Sequence, residues 1–304
     1  MWSPRSIVYP LPAGDAAPVA LRPVVEWAQR LRIPLHVTPW PDGASGSESG
    51  RASEVRAQVE ALRPDGPEID LHTEAWTRRA FTMADWHTYV NAHDIDLVVL
   101  PAPDDAHTGP LLACPKVQPM VTGTTAAVLT LPQHAADAPF ARILAPTDMT
   151  AEAVPTLHHA EAVAAFFEAQ LDMLHVLTRR PYVALTPTDM LALDDAAATP
   201  RVATRRLRTW YHRHTHPSYP SPEATQMHIE QGDPVSAITR VAQAQSTDLI
   251  VLAATHHPSD TQSVSTLTEN VLRRTTCAVL MTRPHHRSLI AVPRSSTSRS
   301  TVSS

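Results

Sequence analysis

The stretch from Arg142 to Val176 constrains the fold of this chain more than any other. A short apolar run, Ile143 to Ala145, stops at Pro146, and a helical pattern follows before a second apolar run ends at Val176. Short apolar runs on either side of a helix favour parallel strands, because a parallel pair needs a long crossover. The stretch therefore predicts a β-α-β unit, and a ligand site is expected at the carboxyl ends of its strands, near Asp148 and Val176.

The composition is that of a globular protein large enough for two domains. The chain has 304 residues, of which 43% are hydrophobic and 18% are charged. The formal net charge is −5 and there is no basic stripe, so nothing favours binding to nucleic acid or to an anionic membrane surface. No apolar run has the length of a signal-peptide core or a membrane span, so we expect a cytoplasmic protein.

Four pairs of similar segments occur in the same order in the two halves of the chain. The pairs are Ser6–Pro10 with Arg142–Pro146, Pro34–Val37 with Met173–Val176, Asp96–Leu100 with Asp248–Leu252, and Ala126–Leu131 with Cys277–Thr282. The offset between partners rises from 136 to 139 and then to 152 residues, which indicates an insertion within residues 178–226 of the second half. Such a repeat predicts two copies of one architecture.

Each half is predicted to be a five-stranded parallel sheet with flanking helices, an α/β fold. In the first half we expect strands near 5–10, 34–39, 68–74, 95–100 and 125–131, with helices near 15–31, 51–62 and 80–92. In the second half we expect strands near 142–146, 171–176, 225–230, 248–253 and 277–282, with helices near 151–168, 197–212, 234–245 and 266–274. The predicted domains are residues 1–136 and 137–287, and the Ser-, Thr- and Arg-rich tail, 288–304, is predicted to be disordered.

Two helix starts in the second half are marked by their residues. Gly232, Asp233 and Pro234 supply a turn, an N-cap and a proline in the first turn. Thr266 and Glu269 have the spacing of a capping box, in which the hydroxyl and the carboxylate each accept a backbone N–H. Both patterns predict helices that begin at these positions.

The second half resembles the universal stress protein family in its tandem two-domain form. That family has Pro, Thr or Val, then Asp after its first strand, which Pro146, Thr147 and Asp148 match. Its Leu-His-Val strand, Gly-x-Pro helix start and Asp-Leu-Ile-Val strand resemble 174–176, 232–234 and 248–251. The resemblance covers about 142–283 well and 5–131 more weakly. It implies two Rossmann-like domains of the adenine nucleotide alpha hydrolase-like type, and a stress-response regulator rather than an enzyme.

The resemblance also implies where an adenine nucleotide, ATP or AMP, would bind. The implied residues are Pro146, Thr147, Asp148, Val176, Gly232, Ala253, Ser265, Thr266 and Leu267. Asp148 would contact the adenosine part and Val176 would offer backbone groups to the base, whereas the alternative is that Asp148 merely caps the next turn. ATP-binding members carry a Gly-x2-Gly-x9-Gly-Ser/Thr loop, whose glycines let backbone amides close on the triphosphate.

That loop has lost its glycines in this chain. Ala253, His256 and Ser265 stand at the glycine positions, the loop is one residue shorter, and Pro258 lacks an amide donor. Two interpretations therefore stay open. In one, the second domain alone binds a nucleotide and regulates an unknown protein partner. In the other, the chain is a structural or interaction pseudo-dimer that binds no nucleotide.

The first half departs further from the family pattern. Pro12 replaces the aspartate, Pro101 replaces the first loop glycine, and Pro115, Pro119 and Gly123 are expected to break the last helix. The first half is thus predicted to be a degenerate partner without a nucleotide site. Family domains pair through their last strands, which would place Ala126–Leu131 beside Cys277–Thr282. Further association into a homodimer stays open.

Other chemistry has weaker support in the sequence. His212, His214 and His216 alternate, with His228 following, which would place the first three on one side of an extended segment. No cysteine and no His-Glu-x-x-His pattern accompanies them, so we expect solvent-exposed histidines and predict no metal site. His36 and His175, which lie in predicted strands, are interpreted as structural.

Neither catalysis nor nucleic-acid binding is predicted. The chain lacks a Gly-x-Ser-x-Gly elbow, a Walker loop and a paired Cys and His signature, so no enzyme activity is expected. A basic and aromatic segment has helical spacing and is interpreted as a solvated helix face with an aromatic anchor; its residues are Arg205, Arg206, Arg208, Trp210 and Tyr211.

Overall fold

The structure is a computed structural model that describes residues 4–12, 20–41, 50–62, 67–77, 80–101, 117–132, 140–178, 199–215, 225–254 and 264–283. Ten strands lie within these ranges. They are β1 (Ile7–Leu11), β2 (Leu35–Pro39), β3 (Leu71–His72), β4 (Leu97–Pro101), β5 (Ala127–Leu131), β6 (Arg142–Pro146), β7 (Gln170–Leu177), β8 (Gln226–Gln231), β9 (Leu249–Ala253) and β10 (Ala278–Thr282). The tail predicted for 288–304 lies outside the described residues.

Eight α-helices and one 3₁₀ turn connect the strands within the described residues. The helices are α1 (Leu21–Leu31), α2 (Arg51–Leu62), α3 (Met83–Ala92), α4 (Val117–Thr122), α5 (Val154–Phe167), α6 (Pro200–His214), α7 (Pro234–Ala244) and α8 (Thr266–Arg274), and the 3₁₀ turn is Glu74–Thr77. None of these helices combines the length and apolar character that a membrane span requires.

All ten strands belong to one sheet, in the order β3-β2-β1-β4-β5-β10-β9-β6-β7-β8. Each half contributes five parallel strands, as predicted, and the one antiparallel pair is β5 with β10. The predicted pairing of the two last strands is therefore confirmed. Leu129 pairs with Leu280, its own counterpart in the repeat, and Val128 and Thr130 pair with Met281 and Val279. The junction thus has the self-complementary form of a two-fold dimer interface.

The core extends across both halves on both faces of the sheet. The inner strands are buried along their whole length, as expected for parallel strands covered on two sides. One apolar cluster contains Ile7 and Ile143, and the other contains Val8 and Leu144. Since each cluster draws residues from both halves, the halves share their core.

Aromatic residues add a second connection between the halves. Trp27 on α1 contacts Phe140 and Phe167, with ring centroids 5.8 and 5.6 Å apart. The Arg30 guanidinium lies 4.3 Å from the centroid of the Phe166 ring. Helix α1 of the first half therefore packs against the end of α5 in the second half.

The predicted alignment between the second strands of the two halves is wrong by three residues. The sequence aligned Pro34–Val37 with Met173–Val176, but Leu35 pairs with Ile7 whereas Leu171 pairs with Ile143. The structural counterpart of His36 is therefore Asp172, not His175. A shift of three residues reverses the faces of a strand, so the apolar pattern of the whole strand fixes the register that a three-letter match cannot.

Two elements of the first half differ from their predictions. Strand β3 spans only Leu71–His72, because the 3₁₀ turn begins at Glu74. Helix α4 forms although Pro119 was expected to break it. Pro119 is the third residue of α4. A backbone N–H at that position would have no acceptor within the helix, so the lack of an N–H in proline costs no hydrogen bond there. Pro115 lies outside the described residues.

Two side-chain predictions can be compared with the helices of the second half. The Asp233 cap is confirmed, since its carboxylate accepts the Ser236 N–H at 2.9 Å. The capping box at Thr266 is wrong: the N-cap is Ser265, whose Oγ accepts the Thr268 N–H at 3.2 Å. Glu269 instead pairs with Arg273 one turn later, through atoms 2.6 Å apart.

Helix α6 corrects the prediction for the alternating histidines. His212 and His214 lie in the helix and not in an extended segment, so two-residue spacing directs them to different sides. His216 lies outside the described residues. The solvated basic face is confirmed: Arg205, Arg206 and Arg208 are exposed, while the anchor Tyr211 is buried.

Candidate functional site

Strand β6 is where the strand order of the second half reverses. It lies between β7 and β9; its crossover through α5 leads to β7, while β9 continues through α8 to β10. In open parallel sheets, ligands bind outside the carboxyl ends of the strands at such a point. Asp148 follows β6 and Ala254 follows β9, so both lie at this edge.

The carboxylate of Asp148 is exposed and held by a tight turn. Its Oδ1 accepts hydrogen bonds from the Thr150 backbone N–H at 3.0 Å and from the Thr150 hydroxyl at 2.7 Å. Met149 adopts a left-handed conformation with φ of 61°, and its N–H donates to Thr147 Oγ1 at 3.0 Å. Asp148 therefore caps this turn, as the alternative interpretation held. Because both hydrogen bonds use Oδ1, Oδ2 can also accept from a ligand.

Strands β6 and β7 fix the backbone beside Asp148. The Thr147 N–H donates to the Leu174 carbonyl at 2.8 Å, so pairing continues one residue beyond β6. His175 Nδ1 lies 2.9 Å from the Thr147 carbonyl oxygen, a contact that supports the structural role expected for this histidine. Val176 is half-buried on the same strand, near the end of β7.

The start of α8 is tied to the ends of β9 and β10. The Ser265 N–H donates to the Ala254 carbonyl at 2.6 Å, and the Ala254 N–H donates to the Thr282 carbonyl at 2.7 Å. The Thr268 hydroxyl donates to the Ala253 carbonyl at 2.9 Å. Since Ser265 also caps the Thr268 N–H, the first-turn amides left to meet an anion are those of Thr266 and Leu267.

Gly232 lies away from these groups, at the end of the outer strand β8. Its φ is 118°, a conformation that favours glycine, and its N–H donates to the Leu177 carbonyl at 3.1 Å. An added Cβ would meet no heavy atom within 4 Å, so backbone conformation and not space explains the glycine here.

The predicted site residues thus form two hydrogen-bonded groups at one edge of the sheet, with Gly232 at its outer end. Pro146, Thr147, Asp148 and Val176 lie at or just after the end of β6 and near the end of β7, and Ala253, Ser265, Thr266 and Leu267 lie at the end of β9 and the start of α8. The intervening loop, with His256 and Pro258, lies outside the described residues.

The corresponding edge of the first half has different chemistry. Pro12 follows β1 and is exposed, and Pro101 ends β4. Neither residue offers a side-chain oxygen or a backbone N–H. The first half therefore lacks, at these two positions, the groups that could bind a ribose or a phosphate.

A polar cluster that the sequence did not predict lies elsewhere in the first half. It consists of His36 on β2, His72 on β3, Glu74 in the 3₁₀ turn, Tyr89 on α3 and His93 directly after α3. One ligand atom each from His36, Glu74 and His93 lies within 4.8 Å of the other two. These residues are far apart in sequence and have no motif spacing. The high count of 17 histidines was the only signal of them in the sequence.

Comparisons with known proteins agree with this architecture. Residues 139–283 match the model of the universal stress protein family. A search of curated proteins found no match. A protein from Pseudomonas aeruginosa UCBPP-PA14 that has been assigned to the universal stress proteins is 18% identical, with a TM-score of 0.66 over 93% of this chain and 94% of that one.

Two further solved structures extend over most of the chain. A functionally unknown protein from Pseudomonas aeruginosa PAO1 is 18% identical and has a TM-score of 0.67, over 93% of this chain and 94% of that one. A universal stress protein from Archaeoglobus fulgidus DSM 4304 is 15% identical and has a TM-score of 0.58, over 92% of this chain and 98% of that one. These identities establish a shared fold. Residues 139–283 therefore form a domain that matches the universal stress protein family.

Proposed function

We propose that this protein is a stress-response regulator that binds an adenine nucleotide, ATP or AMP, in its second half only. The observation that carries the proposal is the exposed carboxylate of Asp148 at the point where the strand order reverses. It would act by changing how the chain binds a protein partner, and not by catalysis. On this proposal, 1–136 is the partner domain and 137–287 the binding domain.

The described residues suggest how the nucleotide would lie. Asp148 Oδ2 would accept a hydrogen bond from a ribose hydroxyl, since its Oδ1 is engaged by Thr150. The backbone of Val176 would contact the base. The amides of Thr266 and Leu267, at the amino terminus of α8, would contact a phosphate through hydrogen bonds and the helix dipole.

The missing glycines limit what the phosphate contacts can contribute. Ala253 and Ser265 carry Cβ atoms where the family's loop has none, and Ser265 already engages the Thr268 amide. We therefore expect ATP and AMP to bind with similar affinity, because the extra phosphates of ATP would find few donors.

A second candidate is a structural or interaction protein that binds no nucleotide. The engaged Thr268 amide and the prolines at positions 12 and 101 favour it. The shared core and the continuous sheet would then make the two halves a rigid pseudo-dimer that presents one surface to a partner.

Calorimetric titration with ATP and AMP distinguishes the two candidates. We expect Asp148→Ala to weaken nucleotide binding about tenfold, roughly 1.4 kcal/mol, because the ribose contact is lost. Glu152→Gln is the matched control: it removes one exposed negative charge four residues away and should leave binding unchanged. Absence of heat with either nucleotide at millimolar concentration would contradict the nucleotide proposal and favour the interaction protein.

A further inference from the structure

The polar cluster of the first half has the composition of a transition-metal site. We propose that His36, Glu74 and His93 bind a divalent metal ion, for which zinc is the best fit, and this proposal is independent of the nucleotide site. One ligand atom from each residue lies within 4.8 Å of the other two. Two imidazoles and one carboxylate form a donor set that zinc commonly takes in proteins.

The distance between Glu74 and His93 matches that of two neighbouring ligands of a tetrahedral ion. Glu74 Oε1 lies 3.5 Å from His93 Nε2. A tetrahedral zinc ion with ligand bonds of about 2.1 Å places neighbouring ligand atoms about 3.4 Å apart. The carboxylate and His93 are therefore already separated as they would be in a zinc complex.

Hydrogen bonds of Tyr89 assign the tautomers of both histidine ligands. The Tyr89 hydroxyl donates its proton to Glu74 Oε1 at 3.2 Å, so it accepts from His36 Nδ1 at 2.9 Å. The backbone carbonyl of Tyr89 can only accept, and His93 Nδ1 lies 2.9 Å from it. Each histidine thus carries its proton on Nδ1 and has its lone pair on Nε2; metal-binding histidines commonly donate their other ring N–H to a protein acceptor in this way.

The site is open to solvent on one side. His36 is buried, whereas 49% of the Glu74 side chain and 33% of the His93 side chain are exposed, so an ion can enter between them. His72 stacks on His36 with ring centroids 4.3 Å apart and planes 8° from parallel. Parallel rings do not direct their lone pairs to one point, so we assign the fourth position to water.

Zinc binding to the full chain tests the assignment directly. We expect wild type to bind zinc, and both Glu74→Gln and His93→Ala to lose one equivalent or bind it at least about tenfold more weakly. His212→Ala is the matched control, because His212 is an exposed histidine on α6 in the other half. With 17 histidines in the chain, the difference between variants is the informative quantity. Zinc titrations that do not differ between wild type and these variants would overturn the proposal.

Two further measurements separate ligation from folding. Zinc should raise the melting temperature of wild type and of His212→Ala, but not that of Glu74→Gln, whose exposed side chain is not needed for the core. Tyr89→Phe removes the hydroxyl that orients His36 and should weaken zinc binding about tenfold without removing a ligand. Equal zinc stabilisation of Glu74→Gln and wild type would contradict the assignment, as would comparable binding of magnesium.

Discussion

The two halves of the molecule use the same residues to hold the sheet and different residues at the places where a ligand could bind. At the start of each half, the aspartate directly before the fourth strand accepts a hydrogen bond from the backbone at or just before the first strand. Asp96 Oδ2 accepts the Arg5 N–H at 3.0 Å, and Asp248 Oδ2 accepts the Arg142 N–H at 2.8 Å. The repeat therefore preserves the contacts that the fold requires.

At the carboxyl end of the first strand and within the second strand, in contrast, the two halves have different residues at corresponding positions. Pro12 stands where the second half has Asp148, and His36 stands where the second half has Asp172. Asp172 is fully buried and accepts the Gln170 side-chain N–H at 3.0 Å. Asp172 Oδ2 also lies 3.8 Å from the Arg142 guanidinium on β6 and 3.6 Å from His228 Nε2 on β8, whereas His36 belongs to the polar cluster. Each half therefore has its own chemistry at these positions: a candidate nucleotide edge in the second and a candidate metal cluster in the first.

The largest expected effect tests whether the halves are thermodynamically separate. Leu129 lies at the centre of the junction, is buried, and pairs with Leu280. We expect Leu129→Ala to lower the free energy of unfolding by about 3 kcal/mol, because it leaves a cavity in a core that both halves share. In urea, the protein should still unfold in a single transition at a lower midpoint.

Val202→Ala provides the control for this measurement. Val202 is 49% exposed on α6, so its truncation should change the free energy of unfolding by no more than about 0.5 kcal/mol. Two separate transitions, of which only one responds to Leu129→Ala, would show that the halves are independent domains.

Much of the fold could be predicted from local patterns. The apolar runs of β4 and β9 are long, uninterrupted and bounded by aspartate, so their positions and their correspondence were right. The predicted correspondence between β2 and β7 was wrong, because Leu-His-Val occurs in both strands at positions that differ by three residues along the strand. Pairing with the neighbouring strand decides the register, and a short motif carries no information about that neighbour.

The candidate sites show a similar limit. The edge around Asp148 could be predicted because its residues follow strands of a recognisable family pattern. The helix cap moved from Thr266 to Ser265, since adjacent hydroxyl residues are equivalent in sequence and only backbone geometry distinguishes them. The cluster of His36, Glu74 and His93 was missed, because tertiary packing brings together three elements with no shared spacing.

An effect of intermediate size is expected on nucleotide affinity when a glycine is restored at one of the positions where the loop between β9 and α8 lacks it. Ser265→Gly removes both the Cβ and the hydroxyl that occupies the Thr268 amide, and so returns that amide to the phosphate side of α8. If the second half binds nucleotides as proposed, we expect ATP affinity to rise about tenfold and AMP affinity to rise less. Calorimetric titration measures both.

Ser265→Ala is the control for this gain. It also releases the Thr268 amide but keeps the Cβ, and it should destabilise the helix by about 1 kcal/mol, against a few tenths for glycine. An equal gain in ATP affinity for both variants would show that the engaged amide, and not the crowding by Cβ, limits phosphate binding.

The corresponding helices α3 and α7 have their hydroxyl and carboxylate capping residues in opposite order. In α3, Thr82 is the N-cap and Asp85 stands three residues later; the Thr82 Oγ1 accepts the Asp85 N–H at 3.2 Å. In α7, Asp233 is the N-cap and Ser236 stands three residues later. The two helices thus begin with the same kinds of group in reversed order, so they differ in whether the N-cap itself carries a charge.

The smallest expected effect is on stability, and it depends on whether the N-cap residue carries a charge. Asp233→Ala and Thr82→Ala should each lower the free energy of unfolding by about 1 kcal/mol at neutral pH, through loss of the cap.

Hydrogen bonds from the Ser236 hydroxyl and backbone N–H lower the pKa of Asp233. A lowered pKa gives stabilisation that is present above the unfolded-state value of about 3.9 and is lost as pH falls through the folded-state value. The difference in unfolding free energy between wild type and Asp233→Ala should therefore shrink below about pH 4. Urea titrations between neutral and acidic pH measure it, and a difference that stays constant through this range would mean that the charge of Asp233 contributes nothing to the cap.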